Sequence, residues 1–135
     1  MQLKLAQLQH TRSGLLCLLE NRWVASGEIE ALVDRADVVL APYQRFVGSS
    51  GVMMWAAEHG KPLLTQDFGI LKSLVEENHL GMTVDCSNPF SLSEAIARFV
   101  AQGPDAFIDR ASAKEFIAAH SPEGFAEAVL ASVGA

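Results

Sequence analysis

Short, wholly apolar runs alternate along this chain with longer stretches in which apolar residues recur every three or four positions. Leu15-Leu16-Cys17-Leu18-Leu19, Val38-Val39-Leu40-Ala41 and Leu63-Leu64-Thr65 are runs of the first kind. Short apolar runs bounded by Gly, Pro, Asn or Asp fit strands buried on both faces, as in a parallel sheet. Periodicity alone leaves the run at 15–19 open between a strand and a buried helical turn. Its flanking Gly14 and Asn21 favour the strand. Gly81 to Asp85 is a last, weaker strand.

The periodic stretches predict helices. Gln2 to Gln9 is a short one. Ile29, Leu32, Val33 and Ala36 share a helical face behind Ser26, which stands where an N-cap belongs. Residues 49–59 form the next helix, stopped by Gly60 with Pro62 just beyond. Ile70, Leu71, Leu74 and Val75 mark another. Ser91-Leu92-Ser93-Glu94 has the spacing of a capping box, followed by a stripe of Leu92, Ala95, Ile96, Phe99 and Val100. Two more helices close the chain, the last opening at Ser121-Pro122-Glu123 with a capping Ser, a first-turn Pro and an acid near the positive end of the dipole.

Strand and helix therefore alternate before the helices take over. That order predicts a Rossmann-like three-layer α/β/α domain, with a parallel sheet and right-handed crossovers. No repeat, low-complexity tract or linker divides it. Residues 1–135 read as a single domain, with a core at about 14–120 and a C-terminal helix at about 121–133.

Composition narrows the function. Half the residues are hydrophobic and the net charge is −6, with basic residues scattered singly, so nucleic acid is not an expected partner. No apolar run approaches a membrane span, and Met-Gln-Leu-Lys-Leu lacks the basic-then-apolar order of a signal peptide. Cys17 and Cys86 each lie in or beside an apolar run and read as buried thiols of a reducing cytoplasm. The four histidines have no ligand-like spacing, so no metal is expected. His59, His79 and His120 fall at helix ends, where a cation suits the dipole.

The candidate chemistry sits after Val38-Val39-Leu40-Ala41-Pro42-Tyr43, where Gly48-Ser49-Ser50-Gly51 opens a helix. Ligands of open parallel sheets bind beyond the carboxyl ends of the strands. Helix amides at Ser49, Ser50 and Gly51 would suit a phosphate. No Gly-Lys-Ser/Thr follows, so this is not a nucleotide-triphosphate loop, and no Gly-x-Ser-x-Gly elbow supports a Ser-His-Asp triad. Acids clustered at early strand ends, which a receiver domain needs, are missing before Glu20.

In order and separation these segments resemble the C-terminal domain of a family 4 (group 1) glycosyltransferase of the two-Rossmann-domain fold. Members carry a strand ending in Pro-Ser, a Glu, a Gly-rich turn, a helix with a second Glu, then Gly-x-Pro-Val. Ala36 to Pro42 matches the strand, Gly48 to Gly51 the turn, Ala56 to Pro62 the helix end, Asp67-Phe68-Gly69 the next loop, and Gly81 to Asp85 the late strand. The resemblance covers roughly residues 14–130.

It implies a domain that holds a nucleotide diphosphate sugar as donor substrate, with no separate cofactor. Backbone amides at Gly48, Ser49, Ser50 and Gly51 would meet the diphosphate, and Arg45 would neutralise it. Tyr43, Trp55, Asp67, Phe68 and Gly69 would lie near the sugar and nucleotide; Trp23, on a loop beside Arg22, reads first as surface packing, with a place flanking the base as the alternative. Both family glutamates are replaced: Phe46 or Val47 stands at the first position and Trp55 at the second. Indole only donates, so Trp55 cannot accept ribose hydroxyls and would stack instead. Glu58, three residues on, is the nearest acid.

The chain also lacks a counterpart of the family's N-terminal domain and of the first two strands of this one. The expectation is a partial domain without turnover of its own, whose open sheet edge an N-terminal domain or a second copy covers. The rival expectation is a non-catalytic binding or assembly module on the same fold.

Overall fold

A computed structural model describes residue 16 and residues 18–133 of the chain. Helix α1 spans Ser26–Arg35, strand β1 Val39–Ala41, α2 Gly51–Glu58, β2 Leu63–Gln66, α3 Gly69–Glu77 and β3 Gly81–Val84. Helix α4 then spans Pro89–Gln102, a 3-10 turn Pro104–Phe107, α5 Arg110–Ala119 and α6 Pro122–Val133.

The three strands form one parallel sheet in the order β1-β2-β3. Val39 lies level with Leu63, and Leu63 level with Gly81. All four residues of β2 are buried, which is why its sequence is an apolar run rather than an alternation. Its one hydroxyl, on Thr65, donates to the Ala41 carbonyl at 2.8 Å and so crosses to β1.

Neighbouring side chains in β2 point to opposite faces, and each face has its own core. Leu63 packs with Met53, Ala56, Leu71, Val75 and Phe116, from α2, α3 and α5. Leu64 packs with Met82, Ala95 and Phe99, from β3 and α4. The result is a mixed α/β domain of three layers, consistent with a Rossmann-like fold. The expected helix stripes reach this core with their middle residues. Ala95 and Phe99 are buried in α4, whereas Ile96 and Val100 remain exposed.

Gly60 and Gly81 show what the backbone asks of glycine around the sheet. Gly60 ends α2 at φ 60°, the left-handed position that follows a helix. Gly81 opens β3 so close to β2 that a Cβ would stand 1.9 Å from the Leu63 carbonyl oxygen.

Several sequence expectations need correction. The strand expected at 15–19 is not formed among its described residues: Leu16, Leu18 and Leu19 are irregular and exposed. Leu15 and Cys17 lie outside the described residues, as does the helix expected at Gln2 to Gln9. Ser26 is the first helical residue of α1 rather than its cap; Ala25 holds that position and no side chain caps it. Helix α2 starts at Gly51, because Ser50 has φ 61° and cannot belong to a right-handed helix. The capping box at Ser91–Glu94 is displaced by Asn88, whose side chain accepts from the Phe90 amide at 3.0 Å, with Pro89 as the first helical residue. Ser121 does cap the last helix, accepting from the Gly124 amide at 3.0 Å.

Candidate functional site

The carboxyl ends of all three strands open onto one crevice of about 510 Å³. Tyr43, Gln44 and Arg45 line it after β1, Gln66, Asp67 and Phe68 at and after β2, and Asp85, Cys86 and Ser87 after β3. Parallel pairing puts these ends side by side, so three segments distant in sequence form one wall.

The loop after β1 is fixed at two points. The Tyr43 ring stacks on Phe46, centroids 4.7 Å apart and planes 29° from parallel. Phe46 is held by Gln66, whose Oε1 accepts from the Phe46 amide at 2.9 Å while Nε2 donates to the Phe46 carbonyl at 2.5 Å. Between them Arg45 takes φ 59°, a conformation that non-glycine residues adopt only where their surroundings demand it. Among the described residues, Arg45 is the one basic residue lining the crevice.

The small-residue turn stands beside this crevice rather than within its lining. Gly48 and Ser49 are exposed, and Ser50 is buried. The Tyr43 hydroxyl and Ser50 Oγ share a hydrogen bond of 3.0 Å, which ties the turn to the crevice wall. Among the described residues, none accepts from the amides of Ser49, Ser50, Gly51 or Val52; the Met53 amide bonds back to the Ser50 carbonyl at 3.1 Å. Only Gly51 and Val52 of those four are helix amides, since α2 begins at Gly51.

Two acidic residues, Asp67 and Asp85, line the same crevice as Arg45. Asp85 accepts from the Ser87 hydroxyl and, at 2.9 Å, from the Ser87 amide; these bonds hold its carboxyl below the usual aspartate range. Cys86 is buried, and that burial together with the charges of Asp67 and Asp85 pushes its thiol up. At neutral pH Cys86 is therefore a protonated, weakly nucleophilic thiol. The lining as a whole carries more negative than positive charge. A diphosphate would need the amides of the adjacent turn as well as Arg45, whereas sugar or ribose hydroxyls can donate to Asp67.

Of the residues singled out by sequence, the structure brings together Tyr43, Arg45, Asp67 and Phe68. Gly69 starts α3 at φ 68°, with its Cβ position 3.5 Å from the Phe46 carbonyl. Trp55 lies half-buried in α2 and outside the crevice lining, and Glu58 is exposed at the end of that helix. Trp23 is 92% exposed and stands outside the lining, with Arg22 paired to Glu20 and Glu28. Cys86 is buried as expected, but its place in the crevice was not foreseen. Gln66 was missed too. Its signal was a long amide ending an otherwise apolar strand, which stays buried only if every polar atom finds a partner. Among the described residues no group of three or more His, Cys, Asp or Glu could hold a metal ion, and no helix is long and apolar enough to cross a membrane. Comparisons with protein-family models, with curated proteins and with solved structures give no match.

Proposed function

We propose that this domain binds the nucleotide diphosphate sugar donor of a glycosyl transfer. One observation carries the reading. Four of the residues named from the resemblance, which lie up to 25 positions apart in sequence, meet at one strand-end crevice beside a turn with free amides. In that arrangement the amides of Ser49 to Val52 and the Arg45 guanidinium take the diphosphate, and Asp67 takes hydroxyls of the sugar or ribose. Catalysis in a complete enzyme would rest on orienting the donor and stabilising the departing diphosphate. No residue here is assigned as general base, and the isolated chain is not expected to transfer sugar.

Ligand-observed titration with uridine, guanosine and adenosine diphosphate sugars tests this. Saturable binding of one donor, abolished by Ser50→Asp and weakened by Arg45→Ala, is the expected result. Absence of binding to every donor overturns it.

The second reading, a non-catalytic assembly module, is favoured by the outer edge of β1. The Val39 amide bonds to the Pro62 carbonyl at 3.0 Å, so the N–H and C=O of Leu40 point away from β2. No described residue pairs with that edge, and the Leu40 side chain is half exposed beside Ile96 and Val100. Self-association through this edge, measured by sedimentation equilibrium, together with no nucleotide binding, would favour this reading over the first.

A further inference from the structure

Gln66 ends β2 with its side chain turned inward, 2% exposed. Its carboxamide makes three hydrogen bonds. Oε1 accepts from the Phe46 amide at 2.9 Å, and Nε2 donates to the carbonyls of Phe46 at 2.5 Å and Phe68 at 3.0 Å. The first two bonds engage both backbone groups of Phe46, as a neighbouring strand would. The third reaches the loop that follows β2. A carboxamide supplies one acceptor and two donors on one plane; a carboxylate supplies acceptors alone and a thioether no donor.

The two loops joined in this way carry opposite charges into the crevice. Arg45 directly precedes Phe46, and Asp67 directly precedes Phe68. We propose that Gln66 is a positioning residue, locking the Tyr43–Gly48 loop to the Asp67–Gly69 loop so that Arg45 and Asp67 address one ligand across the crevice. The proposal rests on the donor-binding reading and deepens it: anion recognition and hydroxyl recognition are set by a single buried amide whose oxygen and two amide hydrogens are all engaged by the loops. Loops fixed beforehand need not be ordered at the moment of binding, and that saving appears as affinity.

The test is titration with the nucleotide sugar panel of the wild type, Gln66→Met, Gln66→Glu and Thr65→Val, with thermal unfolding recorded for each. Thr65→Val removes a buried hydrogen bond one residue away without touching either loop. Gln66→Met is expected to bind about tenfold more weakly or worse, with Thr65→Val within about twofold of wild type at a similar loss of stability.

Gln66→Glu adds a signature that general destabilisation lacks. The introduced carboxyl faces two carbonyl oxygens, which raises its pKa, and once protonated it regains a donor. Its affinity relative to wild type should climb as pH falls from about 8 to about 5. Wild-type affinity in Gln66→Met, or an equal loss in Thr65→Val, overturns the proposal and leaves the donor reading standing. A pH-independent ratio for Gln66→Glu does the same, and carries the test alone if Gln66→Met does not fold. A wild type that binds no nucleotide sugar overturns the donor reading and this proposal together.

Discussion

The Tyr43 hydroxyl lies 3.0 Å from Ser50 Oγ, and this bond alone among the described side chains joins the crevice wall to the turn that opens α2. Ser50 holds φ 61°, so its backbone is strained while its hydroxyl is satisfied. Tyr43→Phe keeps the stack on Phe46 and deletes only the hydroxyl. It should cost about 1 kcal/mol in urea unfolding. Ser50→Gly loses the same bond but relieves the backbone, so it should cost less than Tyr43→Phe. The reverse order would show that the backbone of Ser50 carries too little strain for glycine to relieve.

Gly81 gives the sharpest steric expectation. A methyl group there would meet the Leu63 carbonyl oxygen at 1.9 Å and the Leu63 nitrogen at 2.6 Å, both of them backbone atoms of the central strand. Neither can move without breaking the β2–β3 ladder. Gly81→Ala should lose about 4 kcal/mol or more, seen as poor soluble yield or a collapsed urea midpoint. Gly27→Ala is the matched control, because nothing lies within 4 Å of its Cβ position. In the first turn of α1 that change should be neutral or stabilising by up to about 1 kcal/mol. Equal behaviour of the two variants would contradict the packing described for β3.

The start of α4 separates the sequence expectation from the structure. Asn88 accepts from the Phe90 amide, while Ser91 and Glu94 lie inside the helix. Asn88→Ala should cost about 1 kcal/mol of stability, and Ser91→Ala close to nothing. A larger loss at Ser91 would restore the capping box that the sequence suggested.

The elements legible in the sequence were those whose signals were local and consistent. Leu63-Leu64 is apolar on both faces because β2 lies between two neighbours and two cores. Gly60 and Pro62 mark the stop of α2 because backbone conformation leaves few alternatives. The run at 15–19 carried the same apolar signal, yet Leu16, Leu18 and Leu19 stand exposed. An apolar run reports a need for burial and not its means, which depend on a partner elsewhere. The capping box at Ser91–Glu94 satisfied the sequence rule, yet α4 starts earlier, at Pro89, with Asn88 as its cap. At the site, Tyr43, Arg45, Asp67 and Phe68 were named through the resemblance, which puts them in loops at strand ends, where ligand sites gather. Gln66, Asp85 and Cys86 escaped because their roles depend on which strand ends stand side by side, and that is a matter of pairing rather than of spacing.

Acid and alkali should each remove part of the stability, through different groups. Asp109 caps α5, accepting from the Ala111 amide at 2.8 Å, and from the Ser112 amide and hydroxyl. These bonds hold its carboxyl below its ordinary value of 3.8. A folded value below the unfolded one means that the contribution is complete above the ordinary value and fades as pH falls through the folded one. Asp85, held down by Ser87, and Asp105, held down by Arg110, act in the same direction. Cys86 has the opposite sign, since burial and then the charges of Asp67 and Asp85 raise its thiol above the ordinary 9.0. Its contribution is complete below that value and fades as pH rises through the folded one. Urea midpoints measured from about pH 2 to about pH 11 should therefore give a plateau with two falling limbs. Asp109→Asn should lower the plateau and flatten the acid limb, while Cys86→Ser should flatten only the alkaline one. An acid limb unchanged in Asp109→Asn would mean that the cap of α5 draws nothing from its charge, and an unchanged alkaline limb in Cys86→Ser would mean that the thiol lining the crevice is solvated rather than buried.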